Sequence, residues 1–224
     1  MHRKLYDKIQ EYLVEYAERN GILINSSLGL MFRDQTRILE HVLIDYRKSF
    51  PGKILDGDIG EKIRSVFSGK KVLELGCRSG LFLRFLRDHG AIVAGTTSGN
   101  HYQKAVGKLG RDAVLVKSLA ENAGDHEQLR DFKPDFLFSY NLLDNNREPE
   151  KRPNLRKLYR SIQKIVGHNC KIYAALGVVD GSFVSPKAIR RLAVKNFRVL
   201  EKHHGGEPKR PTDQTIRFRL KKPR

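Results

Sequence analysis

The residues best suited to chemistry are gathered in one short stretch, LELGCRSG, from Leu73 to Gly80. A carboxylate, Glu74, lies near the end of an apolar run, and Gly76 and Gly80 follow it. Glycine lets a backbone turn sharply and approach a ligand closely, and a helix starting just beyond offers unsatisfied N–H groups. A carboxylate beside such a loop accepts hydrogen bonds from amino or hydroxyl groups. The combination suits a nucleotide-type cofactor. Cys77 and Arg78 lie between the glycines, and the dinucleotide pattern G-x-G-x-x-G fails because Arg78 and Leu81 hold its second and third glycine positions. Arg78 has three readings. It points outward into solvent, it pairs with a carboxylate or other anion of the ligand, or it fills the ligand's space. Losing a glycine there is tolerable if the backbone needs no positive φ.

The elements around this loop follow from apolar spacing. Leu5, Ile9, Tyr12, Leu13 and Tyr16 recur every three or four residues and predict a helix that Asn20-Gly21 closes. A second helix is predicted from about Asp34, with Ile38, Leu39, Val42, Leu43 and Tyr46 on one face, and a third carries Ile59, Ile63, Val66 and Phe67. From Lys71 the pattern changes. Short apolar runs at 72–75, 91–95, 113–117, 135–140 and 170–176 read as strands, separated by helical patterns at 81–89, 102–109, 119–131 and 153–166. A further helix is predicted around 186–196. The runs 197–202 and 215–220 read as a final hairpin. Buried strands alternating with helices make a parallel sheet covered on both faces. The expected fold is therefore α/β, a doubly wound, mostly parallel seven-stranded sheet with a C-terminal antiparallel hairpin. Residues 1–54 read as an N-terminal helical extension or lid, and 55–224 as the Rossmann-like domain.

The loop and the order of elements together resemble the class I S-adenosylmethionine-dependent methyltransferases over roughly residues 55–222. Glu74, Gly76 and Gly80 match that family's first motif, an acidic residue followed by G-x-G-x-G, and Arg78 departs from it. The resemblance implies S-adenosylmethionine as cofactor. Its methionine part would be wrapped by Gly76, Cys77, Arg78 and Gly80, with Glu74 orienting it. The family's second landmark is an acidic residue ending the second strand, which grips the ribose hydroxyls. Here Thr96 and Thr97 stand in that place. A neutral hydroxyl in place of a carboxylate weakens such a grip by roughly 1–2 kcal/mol. Ser118 and Leu119 hold the position near the adenine. The fourth strand ends in SYNLLD, which resembles the N-x-L region of small-molecule methyltransferases and differs from the N-P-P-Y box of base-amine methylating enzymes. Tyr140, Asn141 and Asp144 at that strand's mouth are the acceptor-side candidates, and Tyr140 also borders the cofactor.

Charge supplies the other clue. The net charge is +18, and residues 151–224 hold 20 Lys/Arg against 4 Asp/Glu, leaving 23 and 21 in the first 150. A basic final third on a near-neutral body suits a polyanion, with RNA the expected partner. Arg152, Arg156, Arg160 and Lys164 are spaced by four and form one stripe, and Lys187, Arg191 and Lys195, with Arg190 beside them, form another. Few aromatic residues accompany them, so the surface suits phosphate tracking better than base readout. Three functions follow in order of preference: a methyltransferase acting on RNA or a nucleoprotein, a catalytically weakened methyltransferase-like domain serving as a basic RNA-binding or assembly module, and a small-molecule methyltransferase.

The remaining composition excludes more than it suggests. No apolar run reaches membrane-spanning length, and the N-terminus lacks the apolar core of a secretory signal. Cys77 and Cys170 read as two buried reduced thiols, so a cytoplasmic location is expected. His203 and His204 read as residues of the last hairpin loop, with no third ligand near, and no metal is expected.

Overall fold

The computed structural model describes residues 2–23, 26–49, 58–140, 155–167, 169–177, 197–204 and 213–220. The chain divides into two compact units, Met1–Gly69 with Phe85–Ala91, and Lys70–Arg84 with Ile92–Arg224.

The first unit contains α1 (His2–Arg19), α2 (Ser26–Ser49) and α3 (Ile59–Phe67). Their buried residues are those the spacing selects: Ile9, Leu13 and Ala17 on α1, Ile38, Leu39, Val42 and Leu43 on α2, and Ile63, Val66 and Phe67 on α3. Helix α2 begins at Ser26, well before the expected start at Asp34. Phe32 and Thr36 continue its buried stripe by a turn and more, and the Thr36 hydroxyl bonds back to the Phe32 carbonyl at 2.7 Å. That apolar continuation overrides the start signal that Asp34 suggests. Asp58 caps α3 through a reciprocal box with Glu61, satisfying two N-terminal donors.

A polar–aromatic cluster closes this unit. His89 Nδ1 donates to the Phe85 carbonyl at 2.7 Å, and its Nε2 accepts from the Tyr12 hydroxyl at 2.9 Å. Burial lowers the His89 pKa, favouring the neutral ring that this arrangement requires. The Tyr16 hydroxyl donates to Asp88 at 2.5 Å, and Phe85 packs edge-on against both tyrosines.

The second unit is the sheet. Strands β1 (Lys71–Leu75), β2 (Ile92–Thr97), β3 (Val114–Lys117), β4 (Phe136–Tyr140) and β5 (Lys171–Gly177) run parallel; β6 (Phe197–His204) and β7 (Asp213–Leu220) are antiparallel. The seven strands lie in the order β3-β2-β1-β4-β5-β7-β6, so strand order reverses between β1 and β4. The expected doubly wound sheet with its closing hairpin is present. β6 runs on through His203 and His204, which pair with Thr215 and Gln214 and so belong to a strand and not to the loop.

Both faces of the sheet are buried. On one, Leu73, Leu75, Ala94, Leu137 and Ile172 pack against Leu129, Leu158, Ile162 and Ile165. On the other, Phe138 meets Phe82 and Tyr173 at ring separations of 5.8 and 5.9 Å. Helices α4 (Leu81–Asp88), α5 (His101–Leu109), α6 (Glu127–Phe132) and α7 (Leu155–Ile165) connect the strands. The stretch 119–131, expected as one helix, is a 3-10 helix over Ala120–Asp125 followed by α6. Gly124 packs there against the Ser161 backbone, a close approach that residues with side chains do not permit. The helix predicted around 186–196 lies outside the described residues. Among the described residues, no helix is long and apolar enough to cross a membrane.

Candidate functional site

In a doubly wound sheet the carboxyl ends of the parallel strands receive the ligand, beside the point where strand order reverses. The turn after β1 is therefore the natural centre. Gly76, Arg78 and Gly80 all have positive φ, at 75°, 47° and 71°. Arg78 thus holds the left-handed conformation of the glycine it replaces, so the condition under which that glycine would be freely dispensable is not met. The loop is fixed from three sides. Gly76 N–H donates to Thr96 Oγ1 at 3.0 Å, Cys77 N–H to the Thr96 carbonyl at 2.8 Å, and Gly80 N–H to the Cys77 carbonyl at 2.7 Å. With both neighbouring turns pinned, residue 78 has little freedom to relax.

Arg78 is exposed, so its side chain does not fill the interior of the loop. The left-handed conformation costs a non-glycine residue about 1–2 kcal/mol, and glycine's extra chain entropy returns roughly 0.5–1 of that. Arg78→Gly is expected to stabilise the protein by up to about 1 kcal/mol in urea unfolding. The same change moves the titration of Glu74 upward, because the Arg78 charge favours its carboxylate.

Glu74 is the unusual group here. It sits on β1 opposite Gly95 of β2 and Phe138 of β4, and only 4% of its surface is exposed. Its Oε2 has no hydrogen-bond partner among the described residues. Burial raises its pKa to about 8, against the smaller opposing effect of Arg78. Buried carboxylates are normally paired, and an unpaired one beside a ligand loop is a mark of function.

Thr96 and Thr97 end β2, and both are buried. Thr96 is fully buried and its hydroxyl holds the glycine loop, so Thr96 does not stand where a ribose-gripping residue is needed. Thr97 comes next, with its carbonyl accepting from Ser118 N–H at 3.0 Å. Cys77 turns inward beside Leu83, where a Cβ on Gly95 would lie 2.8 Å from its sulfur. Burial, with Glu74 nearby, raises its thiol pKa and keeps it protonated. The side chain of Cys77 therefore faces the core, and only its backbone borders the loop.

Beyond β2 and β3 lies an open cleft of roughly 600 Å³. Ser118 and Leu119 form part of it, and Leu119 is 49% exposed, a flat apolar surface where the resemblance implies a base. Asn122 and Asp125 from the 3-10 helix, His126 just after it, Lys117 from β3 and Lys157 from α7 complete most of its wall. Of these five, Asp125 and His126 read from the sequence as solvated helix residues, and the other three carry no signal there. No spacing links them, and only the 3-10 turn and the strand register bring them together. Asn122 keeps Oδ1 buried without a partner among the described residues. Asp125 pairs with Lys164 at 2.9 Å, and that hydrogen bond holds its carboxyl below the usual range.

The other predicted residues are less fully placed. Tyr140 ends β4 opposite Ala175 of β5, with only its backbone described. Arg160 and Lys164 are exposed on α7, and Arg156 lies on the same helix. Asn141, Asp144, Arg152, Lys187, Arg190, Arg191 and Lys195 lie outside the described residues.

No protein-family model and no curated protein matches this sequence. Solved structures do resemble it. A TehB-like S-adenosylmethionine-dependent methyltransferase from Corynebacterium glutamicum superposes with a TM-score of 0.57 at 15% identity, over 83% of this chain and 99% of that one. A magnesium protoporphyrin IX methyltransferase from Synechocystis, solved with its bound cofactor, gives 0.56 at 11% identity, over 89% and 86%. A candidate RNA methyltransferase from Pyrococcus horikoshii gives 0.50 at 14% identity, over 83% and 85%. With the strand order, the closing hairpin and the loop after β1, this likeness establishes that the chain has the fold of the class I S-adenosylmethionine-dependent methyltransferases.

Proposed function

We propose that the protein is an S-adenosylmethionine-dependent methyltransferase acting on RNA or a nucleoprotein. The observation that carries the reading is the buried, unpartnered carboxylate of Glu74 at the foot of a glycine loop in this fold. Two buried acceptors lack donors among the described residues, Glu74 Oε2 and Asn122 Oδ1. The cofactor brings two amino groups, one on its methionine part and one on its adenine, so the donor set fits. Glu74 and the Gly76–Gly80 loop would hold the methionine part, Thr97 the ribose, and Ser118, Leu119 and Asn122 the base. Arg78, exposed on the loop, offers a cation to the methionine carboxylate.

When bound, the cofactor supplies an electrophilic methyl group on a sulfonium. The chain's contribution is alignment, and a general base is not required of it. Tyr140 at the β4 end, with Asn141 and Asp144 next in the chain, are the positions for the acceptor. Glu74, largely protonated near neutral pH, gives up its proton when a cationic amino group pairs with it. Binding therefore releases a proton, and the measured heat varies with the ionisation enthalpy of the buffer.

The RNA assignment is supported by α7, whose Arg156, Arg160 and Lys164 recur every fourth residue, and by the scarcity of acidic residues in 151–224. RNA affinity is expected to fall steeply with salt, and R156E/R160E to lower it at least tenfold at about 50 mM salt while flattening the salt dependence. RNA binding unchanged by that pair contradicts the assignment. A second reading, a basic RNA-binding module with weakened cofactor affinity, is favoured by one observation: the Thr96 hydroxyl is committed to Gly76 and no carboxylate follows it. RNA binding without any S-adenosylhomocysteine binding selects that reading.

A further inference from the structure

The chemistry of the cleft beyond β2 and β3 suits more than a bare ribose. In doubly wound folds the ribose lies at the end of the second strand, and the side chain there decides what the sugar carries. A carboxylate accepts from the ribose hydroxyls and repels phosphate, whereas its loss together with a nearby cation accommodates a phosphate on the ribose. Here β2 ends in Thr96 and Thr97 with Ser98 just beyond, none of them acidic. Thr97 registers directly opposite Lys117 on β3, and the Lys117 side chain is exposed on the cleft wall. Lys157 reaches the same wall from α7. Asp125, the one carboxylate among the described residues of the wall, is bound by Lys164 at 2.9 Å and also feels the Lys157 charge, which together offset its repulsion of an anion. Ser98 and the Gly99 backbone add neutral polar groups at the rim.

We propose that this cleft binds a phosphorylated ribose, that of an adenine nucleotide with a 2′- or 3′-phosphate, with Lys117 and Lys157 on the phosphate oxygens. The volume accommodates a mononucleotide. The amide of Asn122 suits the base, because its unpartnered oxygen accepts from an exocyclic amine. The proposal rests on the β2–β3 end being the nucleoside half of the site, and it is independent of methyl transfer. The phosphate can arrive on a free nucleotide or on the 3′ end of an RNA.

The test is calorimetric titration of the full chain with adenosine, adenosine 2′,5′-bisphosphate, adenosine 3′,5′-bisphosphate and S-adenosylhomocysteine. In parallel, a short RNA with a 3′-phosphate is compared with the same RNA ending in a hydroxyl. At least one phosphorylated ligand is expected to bind ten times more tightly than its unphosphorylated partner. K117Q and K157Q, both at the cleft rim, should each reduce that preference at least threefold and leave adenosine affinity unchanged. The pair of ligands that shows the preference identifies the source of the phosphate. Equal or weaker binding of every phosphorylated ligand overturns the proposal, as does a preference that survives both substitutions. S-adenosylhomocysteine bound without a phosphate preference overturns this proposal alone. The reverse outcome sustains it and removes the cofactor assignment.

Discussion

Glu74→Gln is expected to make the protein more stable than the parent at pH 8, and no more stable at pH 4.5. Burial raises the folded-state pKa of Glu74 to about 8, whereas the unfolded chain titrates near its ordinary value of 4.5. Between those values the folded protein carries a proton that the unfolded chain has lost. Stability attributable to this group is thus highest on the acid side and declines as pH rises through the window, by at most about 1.4 kcal/mol per pH unit. Glutamine cannot ionise, so the variant escapes the decline, and the advantage at pH 8 amounts to roughly 2–4 kcal/mol. The difference between variant and parent in urea unfolding at pH 4.5, 6 and 8 isolates this group from every other titration. Parallel curves contradict the burial argument. The same substitution removes the charge that attracts an amino group and should weaken S-adenosylhomocysteine binding at least tenfold. A gain in stability joined to a loss in binding identifies a site that sacrifices stability for function.

Gly124→Ala should be strongly destabilising. A Cβ there would lie 2.7 Å from the Ser161 carbonyl oxygen and 2.8 Å from its Cα. Those atoms belong to the backbone of α7, so no rotamer change relieves the clash. The Gly124 N–H also donates to the Ser161 hydroxyl, and separating the two elements breaks that bond. Overpacking of this kind costs about 2–3 kcal/mol, equivalent to a fall in melting temperature of roughly 5–10 °C for a chain of this size. Gly107→Ala is the control. Gly107 is exposed on α5, and a methyl group added to it would meet nothing within 4 Å, so alanine there should add about 0.5–1 kcal/mol. If both substitutions behave alike, the 3-10 helix is not packed tightly on α7. Because Asn122, Asp125 and His126 ride on that helix or just after it, Gly124→Ala should also weaken any ligand of the cleft.

The sheet was legible in the sequence because each parallel strand is a short apolar run between helical patterns, and both faces of the sheet are buried. Val72–Leu75 and Phe136–Phe138 carry that signal without alternation. The loop after β1 was legible for the same reason, since its glycines follow a strand at once. What the sequence concealed depends on contacts distant along the chain. The role of Thr96 is set by a hydrogen bond to Gly76, twenty residues earlier. The left-handed backbone of Arg78 is imposed by bonds on either side, and arginine itself gives no sign of it. The cleft needs Lys117, Asn122 and Lys157 at once, from a strand, a 3-10 turn and a helix. Asp125 and His126 look like solvated helix residues until the 3-10 turn moves them to the cleft. The early start of α2 was hidden because Ser26, Ser27 and Gly29 are poor helix formers, and buried packing at Phe32 outweighs them.

The central claim is that Glu74 and the glycine loop form a cofactor site, and calorimetric titration of the full chain with S-adenosylhomocysteine tests it most directly. Saturable one-site binding in the micromolar range is predicted, with a heat that changes between buffers of different ionisation enthalpy as Glu74 releases its proton. Absence of binding at millimolar ligand contradicts the claim.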